Sequence, residues 1–272
     1  MGKLRVGAVN YLNTKPLIQH LSALAPDIDL ILDVPSQLAS DLQEGRLDIG
    51  LIPSVEYFRG VGGSIIPGVS ISSYGPVMSV KLCSRVPFEQ IRRMALDEGS
   101  RTSIALTDIL LHHLFDTHPT TEPLPLHRDP RESTADAVLT IGDRAMKVAD
   151  GEYPFMLDLG YEWSRWTGLP FVFAFWVVAD GVEVPPDLLK AFVKAKEMGR
   201  NELPEIGRSA SKQLGLDEVR CMYYLQHVIR HDFGSYEMAG LMRFYNLAVG
   251  RALAPEGVSC VFYGSENFAE SH

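Results

Sequence analysis

Little in this chain is positively charged, cross-linked or continuously apolar, and each shortage removes a class of function. Lys and Arg number 25 against 34 Asp and Glu, a net charge of −9. That balance opposes a general nucleic-acid or anionic-membrane surface, so neither partner is expected. Three cysteines, Cys83, Cys221 and Cys260, are odd in number and far apart. They suit a reducing compartment better than a disulfide framework, and no two have metal-ligand spacing. No apolar run reaches the ~18 residues that a spanning helix needs. The N-terminal stretch runs into a strand-like VGAVNYL without an apolar segment and small-residue cleavage site, so a cytoplasmic protein without a signal peptide is expected. Gly60-Val61-Gly62-Gly63 does not complete a dinucleotide fingerprint, and neither a P-loop nor a GxSxG elbow occurs. His112, His113 and His118 cluster in sequence, but no cysteine or paired carboxylate stands at a matching spacing. They read as solvated histidines, and no metal site is expected.

What the chain does have is alternation. Arg5–Val9, Leu30–Val34 and Asp48–Ile52 read as buried strands. Thr14–Leu24, with Asn13 or Thr14 as cap, and Pro35–Glu44 read as the helices between them. A second alternating block has strands at Met94–Leu96, Leu124–Leu126 and Ala137–Ile141, with helices at Ser103–Phe115 and Arg144–Ala149. Short strands alternating with helices point to βαβ units and parallel sheet. Two extended apolar segments, Pro76–Cys83 and Phe171–Ala179, join the blocks. Two crossings between two α/β units predict a hinged, two-lobed binding fold with ligand between the lobes. The expected division puts residues 1–84 and 176–272 in the first lobe and 85–175 in the second. From Pro186 onward the pattern is helical, including a last helix over Tyr236–Leu253 capped by Ser235, and these helices are expected to cover the first lobe.

Strand-to-helix junctions carry the candidate chemistry, because ligands in open α/β sheets bind beyond the carboxyl ends of strands. The first junction holds Tyr11 and Asn13, the latter either a cap or a donor–acceptor facing a ligand. Ser100, Thr102 and Ser103 precede the strongest helix of the second block, and a hydroxyl-rich helix start seats a carboxylate. Gly142, which permits close backbone approach, and Asp143 form a third junction. Ser54 and Glu56 form a fourth. Oriented amides and hydroxyls at facing junctions would hold an anion inside an acidic protein.

Taken in order, Asn10–Leu17, Asp48–Tyr57, Gly75–Val80, Ser100–Ser103, Ile141–Asp143 and Asp158–Ala174 resemble the chorismate dehydratases of the futalosine route to menaquinone, from about Val6 to Ala179. The resemblance implies a fold like type II periplasmic binding proteins, used as an enzyme. It implies that chorismate loses water to give 3-[(1-carboxyvinyl)oxy]benzoate with no metal or organic cofactor. It also implies that Asn13 lies at the reaction centre, and that Ser79, Thr102 and Ser103 hold substrate. The sister enzyme of that route, which makes a dihydroxynaphthoate, relies on a second-lobe histidine, whereas Ile141-Gly142-Asp143 has none. A non-catalytic carboxylate-binding protein is the other alternative. Oligomeric state is left open, a homodimer included.

Overall fold

The computed structural model describes residues 2–264. In chain order its strands are β1 (Leu4–Val9), β2 (Ile28–Asp33), β3 (Ile49–Pro53), β4 (Ser64–Ser73), β5 (Val80–Ser84), β6 (Arg93–Asp97), β7 (Thr120–Leu124), β8 (Ala137–Ile141), β9 (Phe155–Asp158), β10 (Phe171–Val178) and β11 (Ile229–Arg230). The helices are α1 (Lys15–Ile18), α2 (Leu21–Leu24), α3 (Pro35–Gln43), α4 (Ser54–Phe58), α5 (Thr102–Phe115), α6 (Gly142–Lys147), α7 (Leu159–Thr167), α8 (Pro186–Asn201), α9 (Leu203–Leu214), α10 (Glu218–Tyr223) and α11 (Ser235–Gly250).

Two sheets result, ordered β11-β4-β10-β3-β1-β2 and β7-β6-β8-β5-β9. β1 is parallel to β2 and β3, and β6 is parallel to β7 and β8. β10 runs antiparallel between β3 and β4, and β5 runs antiparallel between β8 and β9. The architecture is therefore the expected two-lobed α/β fold, with both sheets mixed. The boundaries expected at 84 and 175 are displaced. Val80–Ser84 belongs to the second sheet and Phe171–Val178 to the first, so the sheets part at residues 74–79 and 159–170. An apolar strand buried on both faces reads the same whichever sheet it enters.

The two crossings lie side by side, since Phe171 pairs with Ser73 across β10 and β4. Asp158 fastens them. Its Oδ1 accepts from the N–H of Val77 at 2.9 Å and of Tyr161 at 3.0 Å, and its Oδ2 from the N–H of Met78 at 2.7 Å. Met78 adopts φ 60°, a left-handed conformation that costs a non-glycine residue about 1–2 kcal/mol. Gly160 lets α7 press on the same crossing, because a Cβ there would lie 2.8 Å from both Ser73 Oγ and Val77 Cβ.

Local expectations shifted at several ends. The helix expected over Thr14–Leu24 breaks into α1 and α2 around Gln19 and His20, whose side chains bond Glu202 at 2.9 and 2.8 Å. The strand expected at Leu124–Leu126 lies earlier, at Thr120–Leu124, and the helix expected from Arg144 begins at Gly142. Ser235 is the first residue of α11 and not its cap. The cap is Gly234, whose N–H donates to Glu237 Oε2 at 3.0 Å. The C-terminal helices cover the first sheet, with two glycines in close approach. A Cβ on Gly199 would lie 2.0 Å from the Pro16 carbonyl, and one on Gly240 the same distance from that of Pro170. No helix among the described residues is long and apolar enough to cross a membrane.

Candidate active site

The junctions singled out from sequence meet at a cavity between the sheets, with about 60 Å³ of it open to the centre of a water-sized sphere. Val9, Tyr11, Asn13, Pro53, Phe173, Ala174 and Ile229 line it from the first half. Val77, Ser79 and Val80 line it at the crossing, and Ser100, Arg101, Thr102, Ser103, Ile141 and Gly142 from the second half. The walls are mostly apolar, with a few polar groups converging, as small-molecule sites usually are. The lining residues include one cation, Arg101, and one phenol, Tyr11. No carboxylate or imidazole is among them.

Asn13 sits in the 3-10 turn Leu12–Thr14, where the chain leaves β1 and turns into α1. It makes no capping bond. Its Oδ1 accepts from Thr14 Oγ1 at 3.2 Å, and its main-chain carbonyl accepts from His231 Nε2 at 2.8 Å. Because that partner is a carbonyl, Nε2 must carry the ring hydrogen. Burial pushes His231 down to about 4, so it is neutral at physiological pH. Tyr224, also fully buried, donates to Ser79 Oγ at 2.8 Å, and the Asn13 side chain hydrogen-bonds the same hydroxyl. Burial raises that phenol, which stays protonated. Asn13 and Ser79 are thus held from behind by two residues of the C-terminal segment. Tyr224 opens a π-helical turn, Tyr224–Val228, a distortion frequent at functional sites.

Across the cavity stands the first turn of α5, with its unsatisfied N–H groups and the positive end of its dipole. Thr102 turns its hydroxyl toward the first half. It accepts from the Val55 N–H at 3.2 Å and lies 3.4 Å from Ser54 Oγ. Ser103 and Arg101 border the open space. At the next junction Gly142 has φ 59°, and a Cβ there would meet the Tyr11 ring at 2.8 Å, so glycine is required twice over. Asp143 accepts from the Leu12 N–H at 3.1 Å, and Ser36 N–H donates to the Gly99 carbonyl at 3.1 Å. These bonds tie the halves together around the cavity. Asp97, buried behind Gly99, pairs with Arg144 at 3.2 Å and supports both junctions.

Three residues expected at the substrate do not line the cavity. The Ser54 hydroxyl is buried and donates to the Val172 carbonyl at 2.8 Å. Glu56 lies along α4 and pairs with Arg59 at 2.8 Å. Asp143 lies one residue beyond the wall and spends its carboxylate on Leu12. Sequence reading passed over Tyr224 and His231, since only the fold brings them to Asn13 from more than 200 residues away. Arg101 was visible in its motif but not singled out.

Asp143 gives a pH-dependent expectation. Burial raises its carboxyl, against the lowering by the Leu12 bond and by Lys15 and Lys147. A carboxyl raised in the folded state contributes stability that is full below its unfolded pKa and is lost as pH rises through the folded one. Asp143→Asn keeps an acceptor for Leu12 and carries no charge. Urea unfolding from about pH 4 to pH 7 should therefore move progressively in favour of the variant, relative to wild type. A flat difference, or one moving in favour of wild type, would show that burial does not burden this group.

Two mixed sheets joined by two adjacent crossings, with a cavity of converging polar groups at the seam, define a protein of the periplasmic-binding-protein fold class. Within that class the chain belongs to the menaquinone biosynthesis family, whose profile matches residues 4–249. It is 29% identical to the chorismate dehydratase of Thermus thermophilus, over 92% of this chain and 96% of that one. It is 28% identical to the chorismate dehydratase of Campylobacter jejuni, over 88% of this chain and 94% of that one. The alkanesulfonate-binding protein SsuA of Xanthomonas axonopodis pv. citri shares the fold. Its TM-score is 0.62 at 13% identity, covering 94% of this chain and 95% of that one.

Proposed function

We propose that this protein dehydrates chorismate to 3-[(1-carboxyvinyl)oxy]benzoate, a step in menaquinone formation, and that the substrate supplies its own base. The observation that carries this reading is the cavity lining: a fixed amide, hydroxyls, a helix start and one arginine, with no side-chain carboxylate or imidazole. Chorismate brings two carboxylates. The first turn of α5, with Ser103 and Arg101, is a seat for one of them. The reaction breaks the C3–H bond and the C4–O bond. The C3 proton is vinylogous to the ring carboxylate, so its removal leaves a delocalised dienolate, which expels hydroxide from C4 to make the aromatic ring. The departing hydroxide and the abstracted proton together are the water lost. Donors aimed at the ring carboxylate stabilise the charge that develops there.

His231 is spent on the Asn13 carbonyl and does not face the cavity as a base. An amide cannot be one either. The enolpyruvyl carboxylate, tethered through oxygen to C3, takes the proton, and Asn13 orients it. Effective molarities of about 10⁵–10⁸ M for well-placed intramolecular groups make a side-chain base unnecessary. The elimination needs no metal or organic cofactor. Ser79, Tyr11 and Gly142 shape the wall against which the ring sits. The two halves part about residues 74–79 and 159–170 to admit substrate and close to exclude water. The protein works in the cytoplasm, consistent with three cysteines that are free.

The test is to incubate purified, chelator-treated protein with chorismate and follow the ultraviolet spectrum and mass of the product. An aromatic product lighter by one water is expected, at a rate that added divalent ions do not raise. Chorismate recovered unchanged, or turnover only after metal is restored, would refute the reading.

A further inference from the structure

We propose that His112, Asp116 and His118 form a site for a borderline divalent metal ion, with zinc as its reference occupant, at the C-terminal end of α5. The spacing His-x3-Asp-x-His gave no recognisable ligand motif, because it straddles a helix end. The fold makes it compact. His112 occupies the last turn of α5, and the helix stops at Phe115. Asp116 takes the left-handed conformation at φ 48° and reverses the chain. Thr117 then donates its N–H to the Leu111 carbonyl at 3.2 Å, and its hydroxyl donates to the Phe115 carbonyl at 3.1 Å. His118 is thereby carried back over His112.

The distances fit a shared ion. His112 Nδ1 lies 3.4 Å from His118 Nε2, and His118 Nε2 lies 3.7 Å from Asp116 Oδ1. One ligating atom from each of the three residues lies within 4.8 Å of the others. Two nitrogens bound tetrahedrally to one zinc at ~2.0–2.1 Å stand about 3.3 Å apart. A direct ring-to-ring hydrogen bond would instead favour about 2.9 Å. The donor set selects the ion: two imidazoles and one carboxylate suit zinc, cobalt, nickel and copper better than magnesium or calcium. The negative end of the α5 dipole adds to the attraction. All three groups are at least partly exposed, so water completes the coordination. At ~1.5 Å per residue, the 14 residues of α5 put this site about 20 Å from the cavity at the other end of the helix. The ion therefore acts as a clip on the turn after α5, not in the elimination.

Calorimetric titration of chelator-treated full-length protein with zinc chloride provides the test. One equivalent should bind to wild type, and affinity should fall about tenfold or more in His112→Ala and in His118→Ala. His127→Ala, an exposed histidine elsewhere on the surface, should bind as wild type does. A second readout uses copper(II). The His113 ring lies 4.9 Å from that of His112 and 4.8 Å from that of Trp166. Copper should therefore quench part of the tryptophan emission in wild type, and that part should be lost in His118→Ala. Undiminished zinc affinity in both histidine variants, or neither heat nor quenching at millimolar metal in wild type, would overturn the proposal.

Discussion

Asn13→Ala should lower the rate of chorismate dehydration by about a hundredfold or more while leaving the protein folded. Removing one preorganised donor from an active site typically costs about 10²–10³ in rate. Here the donor also orients the group proposed to take the proton. The side chain is held by Thr14 Oγ1 and by the Tyr224 hydroxyl, so alanine leaves those two partners without an amide, while the main-chain carbonyl keeps its bond from His231 and holds the turn in place. Glu56→Gln and Asp143→Asn are the necessary comparison, being carboxylates at the motif junctions. Glu56 is engaged with Arg59 and Asp143 with the Leu12 N–H, so both variants should retain measurable turnover. Steady-state rates with circular dichroism as a folding control decide the matter. A folded Asn13→Ala enzyme at wild-type rate, or a folded, chorismate-binding carboxamide variant that is inactive, would sink the substrate-assisted reading.

Asp158→Ala should destabilise the protein by about 3 kcal/mol, combining a lost helix cap with two main-chain donors left unpaired at the crossing. Those donors are the N–H groups of Val77 and Met78, and the cap is the bond to Tyr161 at the start of α7. Met78 would lose the partner that holds it in the left-handed region. Asp158→Asn, which keeps one acceptor oxygen, should lose about 1–2 kcal/mol. Urea denaturation measures both. Out of a net stability of about 5–15 kcal/mol this is a large share, so a loss in the alanine variant below about 1 kcal/mol would show that the crossings are held by packing alone.

The parts of the molecule legible in its sequence are those set by local pattern. The strand ending at Val9, the helix ending at Phe115 and the strand Ala137–Ile141 announce themselves through buried runs and helical spacing. Because chemistry in such sheets gathers where strands hand over to helices, Tyr11, Asn13, Ser100, Thr102, Ser103 and Gly142 could be singled out, and they do line one cavity. Ser79 came from the family resemblance and lines it too. What pattern could not carry was pairing. Val80–Ser84 is buried throughout and Phe171–Val178 at every position but Phe173, and nothing within them says which sheet they enter. Nor can a carboxylate in a motif declare its partner. Glu56 and Asp143 stood beside the right junctions, yet one faces an arginine and the other a main-chain N–H. Tyr224 lies in a helical turn and His231 just beyond the short strand β11, neither in a motif of its own, and their meaning arises only when the chain returns to Asn13.

The interleaving of β10 between β3 and β4 also bears on how the molecule is made. All five strands of the second sheet come from one uninterrupted stretch, β5 to β9, so that half can pair its backbone as soon as Asp158 has been synthesised. The first sheet cannot. Until Phe171–Val178 arrives, β3 and β4 have an open slot between them, and two apolar edges face solvent. Pairings this distant along the chain are slow to form, and unpaired edges are where nascent chains aggregate. On the ribosome, the inserted half should acquire protease resistance first. The half that opens the polypeptide should be finished only once its late central strand has been threaded home.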